Sequence, residues 1–496
     1  MLRKIRITLA IVFFVGITLL FLDFTGTLQR YLSWMATLQF LPALMAAHFV
    51  AVAALVVLTL VFGRIYCSVV CPLGVFQDVV AWIRKRRKRN PYSYSKEVRW
   101  LRYPLLVVMV AAIVAGLGSL TALLAPYSSY GRMAANLFQP LYIALNNLLA
   151  LAAEHLGSYA FYHREIWVRS LPTLFVALFT FLVIAILSWR GGRTYCNTVC
   201  PVGTVLSFFA RLSWLKIGID ADKCVKCGRC SRNCKAACID FKHFRVDHSR
   251  CVACGDCIGL CHKGAITYRH QPSSPKPEKP TKAEPAVDTG KRQFLVGALA
   301  VAATAALAQE KKKVDGGLAA IEDKVAPERA TPLTPPGSLS AQNLARHCTG
   351  CQLCVAECPS DVLRPSASLD KLMQPTMSYE RGYCRPECNR CSQVCPAGAI
   401  RPIDLAEKSS TQIGHAVWVK KNCVVITDGV RCGNCARHCP AGAITMVPMN
   451  RDDESSPWIP AVNMARCIGC GACENLCPAR PFSAIYVEGH EAHRTL

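Results

Sequence analysis

The stretch CVKCGRCSRNC at residues 224–234, followed by CVACGDCIGLC at 251–261, decides how this chain is read. Each is a Cys-x2-Cys-x2-Cys-x3-Cys run: Cys224, Cys227, Cys230 and Cys234, then Cys251, Cys254, Cys257 and Cys261. Three thiolates on one tight loop, with that loop's backbone N–H groups, fit around a [4Fe–4S] cubane, and the fourth cysteine of the run reaches the neighbouring cubane. The spacing therefore predicts crossed ligation. Cys224, Cys227, Cys230 and Cys261 surround one cluster, and Cys251, Cys254, Cys257 and Cys234 the other. The proline that usually follows the fourth cysteine is replaced by Lys235 and His262, and Cys238 competes with Cys234 as a ligand.

Working outward, the same pattern recurs four times towards the C-terminus. The groups are Cys348, Cys351, Cys354 and Cys358; Cys384, Cys388, Cys391 and Cys395; Cys423, Cys432, Cys435 and Cys439; and Cys467, Cys470, Cys473 and Cys477. A proline follows the last cysteine of each, and Pro-Ala-Gly-Ala-Ile at 396–400 and 440–444 marks the helix-to-strand turn of a bacterial ferredoxin module. Structural zinc also uses closely spaced thiolates, but it pairs one Cys-x2-Cys with a distant second and does not need the longer run. Regular quartets likewise fit cluster ligation better than disulfides. The expectation is six [4Fe–4S] clusters, with 24 of the 29 cysteines as ligands.

The remaining composition is that of a membrane protein. Hydrophobic residues make up 52% of the 496 and mean hydropathy is +0.26, too apolar for an ordinary soluble or disordered chain. Uncharged apolar runs at Ile7–Leu22, Leu41–Phe62, Tyr103–Ala125 and Leu171–Trp189 predict four spans. Lys and Arg exceed Asp and Glu by 57 to 32, a formal +25. Six oxidised clusters at −2 each would lower that to roughly +13. Much of the excess lies in Arg84-Lys85-Arg86-Arg87-Lys88-Arg89, between the second and third spans. The positive-inside rule reads that run as topology and not as a nucleic-acid surface. It places the N-terminus, the loop after Phe62 and the segment after Trp189 on the cytoplasmic side.

A quieter repeat sits at the inner ends of two spans. Gly63-Arg64-Ile65-Tyr66-Cys67-x3-Cys71-Pro72-Leu73-Gly74 recurs as Gly192-Arg193-Thr194-Tyr195-Cys196-x3-Cys200-Pro201-Val202-Gly203. Cys67, Cys71, Cys196 and Cys200 either share one metal centre or form two separate dithiols. Further on, residues 271–290 read as an extended linker. Lys291-Arg292-Gln293-Phe294-Leu295 then opens a modest apolar run ending Ala306-Leu307-Ala308. That segment, 291–310, reads as a twin-arginine-like export signal, a fifth membrane segment or a linker helix. No Cys-x-x-Cys-His, no glycine-rich dinucleotide fingerprint and no Walker A motif occur in the chain.

With these motifs in view, residues 1–270 resemble the NapH-type membrane subunit of quinol dehydrogenases, and residues 341–496 resemble its NapG-type four-cluster ferredoxin partner. The implied architecture is an α-helical membrane domain at 1–215, with four spans or a fifth, plus α+β bacterial ferredoxin-like modules at 216–270 and 341–496. Linkers at 271–290 and 311–340 flank the segment 291–310. The resemblance implies oxidation of menaquinol or ubiquinol at the bacterial inner membrane, with electrons passed to a periplasmic reductase or cytochrome. The first ferredoxin domain would be cytoplasmic and the C-terminal block periplasmic. Two departures stand out: the modules are fused, and Lys291 replaces the first arginine of the signal. His48, read as lying within the second span, is a candidate acceptor for a quinol proton. The competing class is an accessory maturation, metal-reducing or regulatory protein of the NosR or CcoG kind.

Overall fold

The computed structural model describes residues 2–87, 92–270, 322–450, 452–453 and 456–496. The segment 291–310, the linker at 271–290 and residues 311–321 lie outside the described residues. Two uninterrupted apolar helices frame the N-terminal part: α1, Leu2–Leu22, and further along the chain a second one at Leu171–Gly191. They are the helices long and apolar enough to cross a bilayer among the described residues.

The expectation of four unbroken spans is corrected here. The second apolar run divides: after α2, Gln29–Thr37, come α3, Phe40–Met45, and α4, Phe49–Phe62. The break is a tight turn in which Ala47 adopts φ 53° and the His48 N–H donates to Ala43 O. At 14 residues α4 is about 21 Å long, short of the ~30 Å hydrocarbon core. After α5, Tyr66–Val69, and α6, Pro72–Arg87, the third run divides likewise into α7, Arg99–Val114, and α8, Gly118–Leu124. Gly116, at φ 71°, ends α7 by donating to Ile113 O while Leu117 N–H donates to Ala112 O. These are the paired bonds of a Schellman cap, for which glycine is the favoured residue. The connection expected at 126–170 is largely helical too. It holds α9, Pro126–Met133, a π-helical turn at Ala134–Phe138, and α10, Gln139–His155. Every residue of α9 is buried. Then follow α11, Leu171–Gly191, α12, Thr194–Thr198, and α13, Pro201–Arg211.

The two cysteine-rich blocks sit against opposite ends of this bundle. The first is closed by β1, Leu215–Ile219, pairing antiparallel with β4, Ile266–His270, around the short pair β2, Ile239–Asp240, and β3, Arg245–Val246. It meets the end that carries Arg3 and Phe62: Tyr268 Oη donates to Phe62 O at 2.8 Å, and Arg3 pairs with Asp256 at 3.0 Å. The second block packs on the other end, where α1 finishes and α11 begins. There Asn136 Nδ2 donates to Gln352 Oε1 at 2.8 Å, Gln139 Nε2 to Ala356 O at 3.2 Å, and Arg164 to Asp361 at 3.5 Å. A Cβ on Gly131 of α9 would lie 2.2 Å from Cys351 O, so the first cysteine loop of the second block presses directly on that helix. Within the block, β5, Leu363–Pro365, pairs with β6, Pro375–Met377, and β8, Ile444–Pro448, with β9, Trp458–Val462. The long pair β7, Thr411–Trp418, and β10, Ile485–Thr495, runs antiparallel.

Candidate iron–sulfur sites

Each tight cysteine loop leads into a one-turn helix, which turns three thiols towards one point. In the first block a cavity of about 260 Å³ is lined by Cys224, Cys227, Cys230 and Cys261, the crossed set expected from the spacing. Burial pushes the Cys257 thiol well up, and Cys254, Cys251, Cys234 and then Cys230 of the other set add to that shift, so the thiols of the second expected set lie near one another. Cys238 is buried with its Sγ 3.6 Å from that of Cys234, and it also hydrogen-bonds Cys251. The fold thus brings both competing thiols to the same site.

The second block gathers its thiols in the same crossed arrangement. One small cavity is lined by Cys384, Cys388, Cys391 and Cys358, and another by Cys423, Cys432, Cys435 and Cys477. The other two sets appear in the electrostatics. Burial raises the Cys354 thiol, and Cys351, Cys348, Cys395 and then Cys391 add to the shift. Burial raises Cys473 likewise, beside Cys470, Cys467 and Cys439. The irregular spacings before Cys388 and Cys432 are therefore absorbed in the loops without disturbing the sets.

The repeated Pro-Ala-Gly-Ala-Ile turn has a local task. Its glycines, Gly398 at φ 67° and Gly442 at φ 58°, bend the chain back so that Ile400 N–H points to Cys395 Sγ at 3.4 Å and Ala443 N–H to Cys439 Sγ at 3.3 Å. Hydrogen bonds to cluster sulfurs are one of the levers that set reduction potential. Sequence reading missed Lys408. It is 5% exposed, and its ammonium donates to the carbonyls of Arg385 and Cys388, beside the set completed by Cys358. A buried cation there offsets the charge of the thiolates. A lone lysine on a short helix carried no signal of this.

The Cys-x3-Cys-Pro repeats come together at the end of the bundle that meets the first cysteine-rich block. All four thiols are 4% exposed, and Cys200 lies within electrostatic reach of Cys196, Cys71 and Cys67. The halves clasp each other through fully buried arginines. Arg64 donates to Cys196 O at 3.1 Å, to Asn197 Oδ1 at 2.9 Å and towards Cys67 Sγ at 3.8 Å. Arg193 mirrors it, donating to Cys67 O and, at 2.7 Å, to Asp78 Oδ1. The arrangement explains the glycine of each motif. A Cβ on Gly74 would lie 2.2 Å from Cys67 O and 2.8 Å from Arg193 Nη1, and one on Gly203 would lie 2.5 Å from Cys196 O and 2.6 Å from Arg64 Nη2. Gln77 Nε2 donates to Cys196 Sγ at 3.1 Å. Among the described residues no three Cys, His, Asp or Glu side chains gather closely enough to hold a single metal ion. Four buried thiols with the N–H donors of Arg64 and Gln77 turned to two of their sulfurs fit the negative charge and sulfur chemistry of a cluster.

His48 is placed otherwise than expected. It precedes α4 at the broken turn, is exposed, and lines neither the cavity between Leu171 and Gln374 nor the one between Arg3 and Asp256.

Comparison with known proteins agrees with this geometry. A 4Fe-4S binding domain matches residues 44–91 and again 173–220, one Cys-x3-Cys-Pro motif in each, and a 4Fe-4S dicluster domain matches 347–400 and 430–480. The methylamine utilization ferredoxin-type protein MauM of Methylobacillus flagellatus is 32% identical over 169 residues, 32% of this chain and 70% of that protein. The ferredoxin-type protein NapG of Escherichia coli K12 is 30% identical over 176 residues, 33% of this chain and 75% of its own. The putative electron transport protein YccM of the same organism is 24% identical over 200 residues, covering 39% of this chain and 47% of YccM. No solved structure matches the chain. Paired dicluster modules and these relatives together show that the chain belongs to the ferredoxin-type [4Fe–4S] electron-transfer proteins represented by NapG and MauM.

Proposed function

We propose that the protein is a membrane-embedded electron conduit that takes electrons from menaquinol or ubiquinol and delivers them to a periplasmic reductase or cytochrome. One observation carries this reading: two iron–sulfur blocks occupy opposite ends of one apolar helical bundle. Six clusters, one for each crossed thiol set, would fill the blocks, and the four Cys-x3-Cys-Pro thiols would hold a further one. Iron–sulfur centres supply one-electron transfer. The residues described here hold them, exclude water and set their spacing. Oxidation of one hydroquinone breaks two O–H bonds, releases two protons to water and passes two electrons, one to each of two such centres.

The bundle's surface supports a membrane setting. Only 33% of the apolar window of α1 and 22% of that of α11 is buried, whereas core helices of soluble proteins are mostly covered. Val57, Val110, Leu141, Leu148, Phe175 and Phe179 are each at least half exposed. Such an apolar belt needs lipid or protein against it. On this reading α3–α4 and α7–α8 traverse as broken helices whose interruptions touch the second block: a Cβ on Gly398 would meet Ala46 at 3.4 Å, and one on Gly116 would meet Arg346 at 3.2 Å. Buried residues lie between the ends: Tyr195, next to Cys196, sits beside Ser129, Arg132 donates to Ser129 Oγ at 3.2 Å, and the neighbouring Gly131 packs on Cys351. The export-signal reading of 291–310 would place the second block outside. Relatives carry names tied to different substrates, so the acceptor is proposed only as a class.

Menaquinol added to the protein in liposomes should bleach the cluster absorbance within a catalytic timescale. Absence of bleaching would favour the accessory or maturation class instead. Protease added to intact spheroplasts should digest 322–496 and spare 216–270, and protection of both blocks would remove the periplasmic acceptor.

A further inference from the structure

A cavity of about 470 Å³ opens beside the Cys-x3-Cys-Pro site, between the start of α1 and α6. Its volume is that of a typical small-molecule site. Its mouth is apolar, with Ile11, Val79 and Trp82 exposed on the face the bundle turns to lipid. Its inner end is polar and built around Asp78, which accepts from Arg193 at 2.7 Å, from Lys235 at 2.7 Å and from Arg6 at 3.2 Å. Lys235 and Arg3 also pair with Asp256.

We propose that this cavity is where the quinol headgroup binds, a placement that rests on the conduit reading above. Three features select a neutral two-oxygen ring with an apolar tail. First, Asp78 and Asp256 pair with Arg3, Arg6, Arg193 and Lys235, so at the inner end carboxylates already occupy these cations in the place an anionic headgroup would take. Second, Arg6 is 8% exposed, lines the cavity, and has an Nε with no partner, a buried donor that a quinone oxygen would satisfy. Third, the polar end lies between two electron acceptors. Arg193 links it to Cys67, and Lys235 and Asp256 flank Cys234, Cys254 and Cys257. The aliphatic tail leaves past Ile11 and Trp82 into lipid.

The test uses a photoreactive azido-naphthoquinone on the full-length protein in nanodiscs, with the crosslink mapped by mass spectrometry. Labelling within residues 3–11 or 75–85 is expected. Val79→Trp should cut the yield at least tenfold with iron content and visible spectrum unchanged, and Trp82→Ala, at an exposed rim position, provides a second variant if Val79→Trp misfolds. Labelling at the turn around His48, or at the outer cavity between Leu171 and Gln374, would overturn this site while leaving quinol oxidation standing. Phospholipid retained in the cavity with no labelling of these segments would overturn it in favour of a lipid site. Loss of menaquinol bleaching in the unmodified protein, by contrast, would remove the conduit reading itself.

Discussion

Crossed ligation makes a prediction that iron counting can decide. Cys477 closes the cavity formed by Cys423, Cys432 and Cys435, although it belongs to the run that starts at Cys467. Its substitution by serine should therefore empty the irregular site and leave that of Cys467, Cys470 and Cys473, which Cys439 completes. Each lost [4Fe–4S] cluster removes about four irons per chain. Cys477→Ser combined with Cys432→Ser acts on one site and should lose about four irons in total. Combined with Cys470→Ser it acts on two and should lose about eight. The assay is iron and acid-labile sulfide per protein after anaerobic purification, with EPR of the reduced protein to count remaining spins. The reverse ranking, about eight for the Cys432 pair and about four for the Cys470 pair, would refute crossed ligation and mean that each run closes its own cluster.

Other outcomes follow from the same geometry. If both thiols serve one centre, as proposed above, Cys67→Ser and Cys196→Ser should produce the same spectral loss; independent changes would indicate two dithiols. Arg193→Leu leaves Asp78 with only Lys235 and Arg6, so the cost should stay below the about 3–5 kcal/mol of a buried charge stripped of its partner. The full chain in detergent should then melt lower, and Arg193→Lys should not restore it, since lysine lacks the fork that reaches both Asp78 and Cys67 O. Burial holds His493 on β10 down to about 4, from an ordinary 6.5, with His490 acting in the same direction. The unfolded chain then binds the proton first, so the contribution is complete above pH 6.5 and is lost as pH falls towards 4. At pH 5 the loss is about 2 kcal/mol. Amide exchange in β7 and β10, corrected for intrinsic rates, should quicken on acidification, and His493→Gln should flatten that response.

The carrier chemistry was legible in the cysteine spacing, because cluster ligation depends on local loop geometry that a tripeptide spacing encodes. The Cys-x3-Cys-Pro repeat was legible for the same reason, down to the glycine that follows. Helix continuity was not. Counting charge-free residues finds apolar runs, but nothing in that count marks Ala47 or Gly116 as the residue at which a helix stops. In the same way α9 and α10 were hidden in a segment whose charges made it look like a connection.

By itself the sequence determined the ligand types, the number of cysteine runs and their repeat order, since each rests on contacts within a dozen residues. Only the tertiary structure decided which fourth cysteine closes which site in the second block. It alone drew Arg64, Asp78 and Arg193 around the inner thiols from positions up to 129 residues apart in the chain. It alone set the two blocks at opposite ends of the bundle. Those arrangements depend on how distant segments pack, and packing energy is spread over surfaces that no single motif records.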